Sequence, residues 1–349
     1  MLSEDPTRVR DVLRSCEVAE IGGRLDPAPD AATKRPPAAE VMVAFAAIYL
    51  IWGSTYLGIR YAIETIPPLI MMGLRHLTAG TLLYAWQRWR GVPRPKPAQW
   101  AYAAVAGVIF FLGSHGSLAW AEQKVPSGLA ALLCATLPLW VVVLAWLRGI
   151  ERHPGRRAVT GLLLGFAGVG LLIGPQGLRE SGQTDWWSAG VVLMGAFLWA
   201  VGSIYSKRAK LPASSGLSAA MQMISGGTAL LLAGAASGEG AQFHTAGVSL
   251  KSAAALAYLI IFGSIIAFSA FTWLMTTSSA SRVSTYAYVN PVVAVLVGWA
   301  LAGETMGIRT LIAAGIILAG VVLVTTKGNR QRVPLPVTGA RELQVEAGD

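Results

Sequence analysis

The chain has 349 residues, of which 54% are apolar and 13% charged. Ordinary soluble domains carry about 25% charged residues, so a soluble globular enzyme is excluded. The net charge of +10 resides in the middle: residues 1–40 and 327–349 sum to −1 and the rest to +11, which points to cytoplasmic anchoring at a membrane rather than to nucleic acid.

In chain order, residues 1–40 come first. They hold charges of both signs and Pro27, Pro29, Pro36 and Pro37, with no apolar stretch. They read as a disordered cytoplasmic tail, or as sequence upstream of a start at Met42. A spanning helix needs about 20 mostly apolar residues. Ten such runs follow: 41–59 with Trp52; 68–87 with Arg75 and His76; 98–120 with Ser114, His115, Ser117 and Trp120; 127–148 with Cys134 and Pro138; 157–174 with Gly161 and Gly165; 186–206 with Trp199; 216–236 with Gln222; 252–275 with Trp273; 283–302 with Tyr286, Tyr288, Asn290 and Pro291; and 308–326 with Gly315 and Gly320. Residues 327–349 form a second polar tail. The runs lack two-residue alternation and are too long for barrel strands, so the predicted fold is an all-α polytopic membrane protein. Cys16 and Cys134 give neither a disulfide framework nor a thiolate metal site, and no cofactor is expected.

Counting Lys and Arg tests the orientation. With the N-terminus inside, the inner segments hold 22 and the outer loops 5 (Arg60, Lys124, Arg179, Lys251 and Arg309); Arg75 alone lies within a span. That bias predicts both termini in the cytoplasm and an even helix count. Trp86, Trp89, Trp100 and Trp146 fall at inner ends of runs and Trp186, Trp187 and Trp299 at outer ends, as interfacial belts require.

The two halves repeat. Trp52 precedes Arg60 by eight residues, as Trp199 precedes Lys207, and the offset of 147 from Trp52 to Trp199 also joins Arg75 to Gln222. Trp120 precedes Pro138 by 18 and Pro138 precedes Glu151 by 13; Trp273, Pro291 and Glu304 repeat both spacings at an offset of 153. The change of offset fits a longer loop near 237–251. Each half has five spans, an odd number, so consecutive halves lie in opposite orientations. Such inverted repeats build secondary transporters with a site near the midplane.

These segments are similar to a known family. Ile51-Trp52-Gly53-Ser54-Thr55-Tyr56, Pro67-Pro68 with Arg75, and Val125-Pro126-Ser127-Gly128 through Ala135-Thr136-Leu137-Pro138 carry the likeness in the first half. Gly263-Ser264-Ile265-Ile266-Ala267, Tyr286-Ala287-Tyr288-Val289-Asn290-Pro291-Val292-Val293-Ala294-Val295 and Gly303-Glu304 carry it in the second. The chain resembles the drug/metabolite transporter superfamily, in particular the EamA-type ten-helix permeases of the YedA-like group. The resemblance covers about 41–326 and implies two EamA-type repeats, 41–175 and 186–326. It also implies a bacterial inner-membrane permease, usually an exporter, with a central cavity lined by helices 1, 3, 4, 6, 8 and 9. Its substrates span amino acids, metabolites and drugs.

Several residues are candidates for that cavity. Pro138 and Pro291 lie inside runs 4 and 9, where proline frees the carbonyl four residues earlier, here Cys134 and Ala287, for a ligand or a hinge. Each is otherwise a packing kink. Asn290, with Tyr286 and Tyr288, places amide and phenol groups in a span, where they bond a neighbouring helix or a substrate. Trp52, Trp199, Trp120 and Trp273 are repeat-paired and form aromatic walls or core, Trp120 and Trp273 being also close enough to run ends for belts. Arg75 either pairs with helix-end carbonyls, Glu64 or Glu122, or binds an anionic substrate group. His76 follows about 100° round the helix and is not expected on the same face. His115 is a hydrogen-bonded core histidine, a substrate contact or a proton carrier. No carboxylate lies deep in a run, which argues against a proton antiporter built on a mid-membrane Glu. Proton coupling is expected at His115 or Glu122. The span glycines Gly161, Gly165, Gly315 and Gly320 read as helix packing within a monomer or at a homodimer seam.

The expected function is therefore secondary transport of a small molecule across the lipid bilayer by alternating access. No Gly-x4-Gly-Lys-Ser/Thr phosphate loop provides for ATP. The alternatives are an intramembrane enzyme and a channel. Ser114, His115 and Ser117 face different ways and would need a second histidine, of which His76 is the one in a span. For a channel, neither a charged ring nor a carbonyl-filter motif is present.

Overall fold

The computed structural model describes residues 36–325, except 122, 126–129, 131–132, 152–153, 181–185 and 303–306 and the side chains at 172–180, 186, 294–295, 298–299, 301–302, 310 and 325. Helices occupy all ten apolar runs: α1 (Ala38–Ala62), α2 (Pro68–Trp89), α3 (Pro97–Ala121), α4 (Leu137–Leu147), α5 (Arg156–Glu180), α6 (Trp186–Arg208), α7 (Ser215–Ala236), α8 (Leu250–Thr277), α9 (Tyr286–Ala302) and α10 (Ile308–Thr325). No strand occurs among the described residues. By length and composition α1, α3, α6, α7 and α8 can each cross a membrane. The fold is an all-α polytopic membrane protein of two inverted five-helix repeats. α1 begins at Ala38, so the last three residues of the expected tail are helical. Residues 1–35 of that tail, with Cys16, and residues 326–349, Glu122, Asp185 and Gly303-Glu304 lie outside the described residues, as do the side chains of Trp186 and Trp299.

Local chemistry sets the helix ends. Pro68 opens α2, where a missing N–H costs nothing. The next free donors, Leu69 N–H and Ile70 N–H, give hydrogen bonds of 2.8 and 3.0 Å to Glu239 Oε2. Glu239 begins a short helix, Glu239–Gln242, in the longer loop that the change of repeat offset located. The inserted segment thus caps a helix of the other half.

Two features were not legible in the spacing. α3 and α8 each contain a π-helical segment, Val108–Gly116 and Leu259–Ile266, at related places in the two halves. Such segments release backbone groups from the regular ladder and recur at functional sites. The prolines also differ. Pro291 lies inside α9, but Pro138 falls in the first turn of α4, after a turn at 135–136. It therefore frees no interior hydrogen bond, and the expected symmetric pair of mid-helix breaks is corrected to one interior proline and one helix start. α9 too is preceded by a turn, at 284–285.

The halves interlock as exchanged pairs. α2 packs along α7 and α5 along α10; α2 meets the π segment of α8 as α7 meets that of α3. The α5–α10 pair closes on glycine. A Cβ on Gly161 would lie 2.7 Å from the Gly320 carbonyl oxygen, and one on Gly320 would lie 2.7 Å from the Gly161 oxygen. Gly161 and Gly320 therefore pack helices within the chain; Gly315 faces open space.

Candidate functional site

A cavity of about 100 Å³ opens among α1, α2, α3, α4, α6 and α9. α1 contributes Trp52, Thr55, Tyr56 and Ile59, and α6 contributes Val192, Gly195, Ala196 and Trp199. Both stripes follow i, i+3, i+4, i+7, one face of a helix. In α1 the tryptophan begins the stripe and in α6 it ends it. Because the halves are inverted, both tryptophans lie at the same end of the cavity. The space extends from them toward the end of the bundle that carries the C-terminus of α1.

That end is closed by rings. Trp52 meets Tyr286 at 4.6 Å between centroids, Phe271 at 5.4 Å and Trp199 at 5.7 Å. Phe110 packs edge-on against Trp199 at 4.8 Å. Edge-to-face packing of this kind suits ring quadrupoles. The π segment of α8 fixes the cluster, since Trp52 Nε1–H donates to the Gly263 carbonyl at 3.0 Å.

Arg75 and His115 border the cavity with polar groups. Arg75, 2% exposed, donates from Nε to Ser264 Oγ at 2.9 Å. Ser264 Oγ also lies 3.5 Å from His76 Nδ1. Arg75 and His76, expected on different faces, thus converge on one hydroxyl of α8. His76 Nε2 and His115 Nδ1 share a hydrogen bond of 3.0 Å, and the His115 ring stacks on Trp199 at 4.8 Å. His115 is accordingly both hydrogen-bonded and at the cavity. Glu64, one expected partner of Arg75, instead pairs with Lys251 at 2.7 Å.

Gly263 makes room for Arg75: a Cβ there would stand 2.8 Å from its Nη2. This seat explains why α2 lines the cavity where α8 was expected to. The Arg75 side chain covers α8.

Of the other candidates, Trp52, Trp199, Tyr286 and Asn290 border the cavity. Asn290 Oδ1 and Trp199 Nε1 are buried without a hydrogen-bond partner of good geometry. Trp120, Trp273, Pro138, Tyr288 and Pro291 do not border it. Tyr288 is two residues from Tyr286, about 200° round the helix; its ring meets Gly165 and its hydroxyl donates to the Leu162 carbonyl at 3.1 Å. Trp120 packs with Ala121, Val125 and Val192 under Lys124, and Trp273 packs against the main core. Pro138 yields its place at the cavity to Leu137, and Pro291 to Asn290. Thr55, Tyr56, Met72 and Leu137 are lining residues that sequence reasoning missed, while Cys134 and Ala287, named for their carbonyls, do border it. The stripe from Trp52 could have found Thr55 and Tyr56; Met72 has no such signal beyond lying one turn before Arg75.

Comparison with known proteins adds an independent line. The EamA-like transporter family model matches residues 39–174 and again 186–326. The chain is 40% identical over 280 residues to the "uncharacterized inner membrane transporter YedA" of Escherichia coli K12, covering 80% of this chain and 88% of that protein. An "uncharacterized transporter" of Archaeoglobus fulgidus is 25% identical over 279 residues, 80% of this chain and 94% of the other. A solved crystal structure, 23% identical, superposes with a TM-score of 0.67 over 82% of this chain and 97% of its own and shares the fold.

Proposed function

This chain belongs to the EamA-like transporter family, and from that membership we propose that it is a secondary carrier exporting small amphipathic molecules across the bacterial cytoplasmic membrane by alternating access. The observation that carries this is the shared wall: residues at repeat-related positions of both halves, Trp52 and Trp199, close one end of a single cavity. A rocking motion of one half against the other would separate those rings and open the opposite end. The 22-to-5 distribution of Lys and Arg supports both termini in the cytoplasm. With that orientation, the aromatic cluster faces inward and the cavity lies toward the outer side.

The carrier reading is favoured over the enzyme alternative. Among the described residues, Ser264 and His76 are a serine and a histidine that the fold brings together, at 3.5 Å. Yet Ser264 does not border the cavity, and its oxygen accepts from a cation rather than facing a carbonyl to attack. We assign proton coupling to His115, which borders the cavity and is tied to a second imidazole.

A thermal-shift screen of the detergent-purified protein against amino acids, sugars, nucleosides and cationic dyes tests the proposal. A ligand at 100 times its Kd adds about 2.7 kcal/mol to stability. Stabilisation clustered in one chemical class, lost in Asn290→Ala, is the expected result. Full stabilisation of that variant by the same class, with transport intact, would remove Asn290 from the site.

A further inference from the structure

We infer that the carrier selects anions: Arg75 is a receptor for a carboxylate of the transported molecule, with Asn290 accepting an N–H or O–H from the same molecule and the Trp52–Trp199–Tyr286 cluster meeting its apolar body. This rests on the carrier reading above and names the substrate class of that cavity.

The guanidinium has five N–H groups. Nε–H is used by Ser264, and Nη1 has only the soft Met72 sulfur at 3.9 Å. Among the described residues no other hydrogen-bond acceptor meets Arg75, and the one ion pair, Lys251–Glu64, lies elsewhere. A cation at this depth without a counter-charge is costly. Its position at the cavity wall lets a ligand supply that charge, and the planar fork of an arginine fits a carboxylate through two parallel hydrogen bonds. The anchorage is that of a receptor: Ser264 holds the inner edge of the guanidinium, and the bare Gly263 backbone seats its Nη2 corner.

The rest of the wall completes the requirement. Asn290 Oδ1 is 97% buried with its residue and lacks a donor, so it is satisfied by an N–H or O–H that the ligand brings. The aromatic rings offer nonpolar faces on the same cavity. Aromatic rings alone would favour cations; Arg75 on the same wall reverses that preference by direct repulsion. Lipophilic cations are therefore excluded and amphipathic monocarboxylates accepted.

The test uses matched pairs in which an uncharged amide replaces the carboxylate and a donor for Asn290 is kept in both members: phenylalanine against phenylalanine amide, and 3-phenyllactate against 3-phenyllactamide. Counterflow of each is measured in proteoliposomes holding the wild-type full chain, Arg75→Lys or Arg75→Gln, with purified-protein melting temperatures recorded alongside. The wild type is expected to prefer each acid over its amide by at least about tenfold. Arg75→Lys keeps a reduced preference and Arg75→Gln brings the ratio to about one. A role in bracing α2 against α8 alone would lower the amount of folded protein and leave the ratio unchanged, which would overturn the assignment. Equal wild-type counterflow of acid and amide, or preference for the amide, would also overturn it while leaving the carrier reading intact. No counterflow of any of the four solutes, with binding absent too, would overturn the carboxylate assignment, whereas the carrier reading itself falls only if the wider ligand screen is also blank.

Discussion

Trp52 and Trp199, 147 positions apart in the chain, meet edge to face with their rings 5.7 Å apart at 87°. They occupy the same place in each half. An inverted duplication brings such positions together about its axis, so the contact is a joint between halves as well as a wall of the cavity. The two rings are not equivalent in bonding. Trp52 Nε1 is bonded to Gly263, whereas Trp199 Nε1 lacks a partner of good geometry.

That asymmetry gives unequal expectations for conservative changes. Trp52→Phe keeps an aromatic wall but removes the hydrogen bond to the π segment, leaving the Gly263 carbonyl buried and unpaired. A loss of about 1–3 kcal/mol is expected. Trp199→Phe removes an indole N–H that has no such bond and is expected to cost less. Thermal unfolding of the two variants in one detergent ranks them.

Gly161→Ala places a methyl carbon 2.7 Å from the Gly320 carbonyl oxygen, a backbone atom that cannot rotate away. Overpacking of this kind costs about 1–3 kcal/mol. Gly315→Ala, which meets nothing within 4 Å, is expected to be neutral. Melting temperatures and yields of folded protein check the contrast.

His115→Gln separates driving force from translocation. The amide keeps a polar group at the cavity but cannot carry a proton at physiological pH. Uphill export driven by a pH gradient is expected to fall at least about tenfold, while exchange at equal pH on both sides continues. Loss of both in parallel would make His115 a substrate contact.

The orientation is open to chemical labelling. With both native cysteines replaced, Lys96→Cys in the α2–α3 loop is expected to react with an impermeant maleimide only from the cytoplasmic side. Thr245→Cys in the α7–α8 loop is expected to react only from the outer side. Both positions are exposed. The reverse pattern would invert the placement of the cavity.

The fold was legible because bilayer thickness imposes a run length that no packing detail can hide, and because an odd number of spans per repeat forces inversion. The cavity was legible only in part. Trp52, Trp199 and Asn290 announced themselves as costly groups in apolar runs. Tyr288 did so equally, but helix geometry turns it 200° from Tyr286 to face Leu162. Spacing alone could not say which of the two faces inward. The Arg75–Ser264 bond joins residues 189 apart, and no local pattern encodes it. Pro138 and Pro291 matched in spacing yet differ in structure, because repeat register fixes sequence position and not where a helix begins.

A single flux measurement bears hardest on a carrier whose two halves share one site. Proteoliposomes loaded with unlabelled 3-phenyllactate are placed in a trace of labelled solute, and its entry is followed. A carrier gives a transient overshoot that saturates with concentration, and Trp52→Ala and Trp199→Ala each reduce it at least about tenfold. Flux that rises linearly with concentration without an overshoot, or an overshoot untouched by either substitution, would contradict a shared alternating-access cavity.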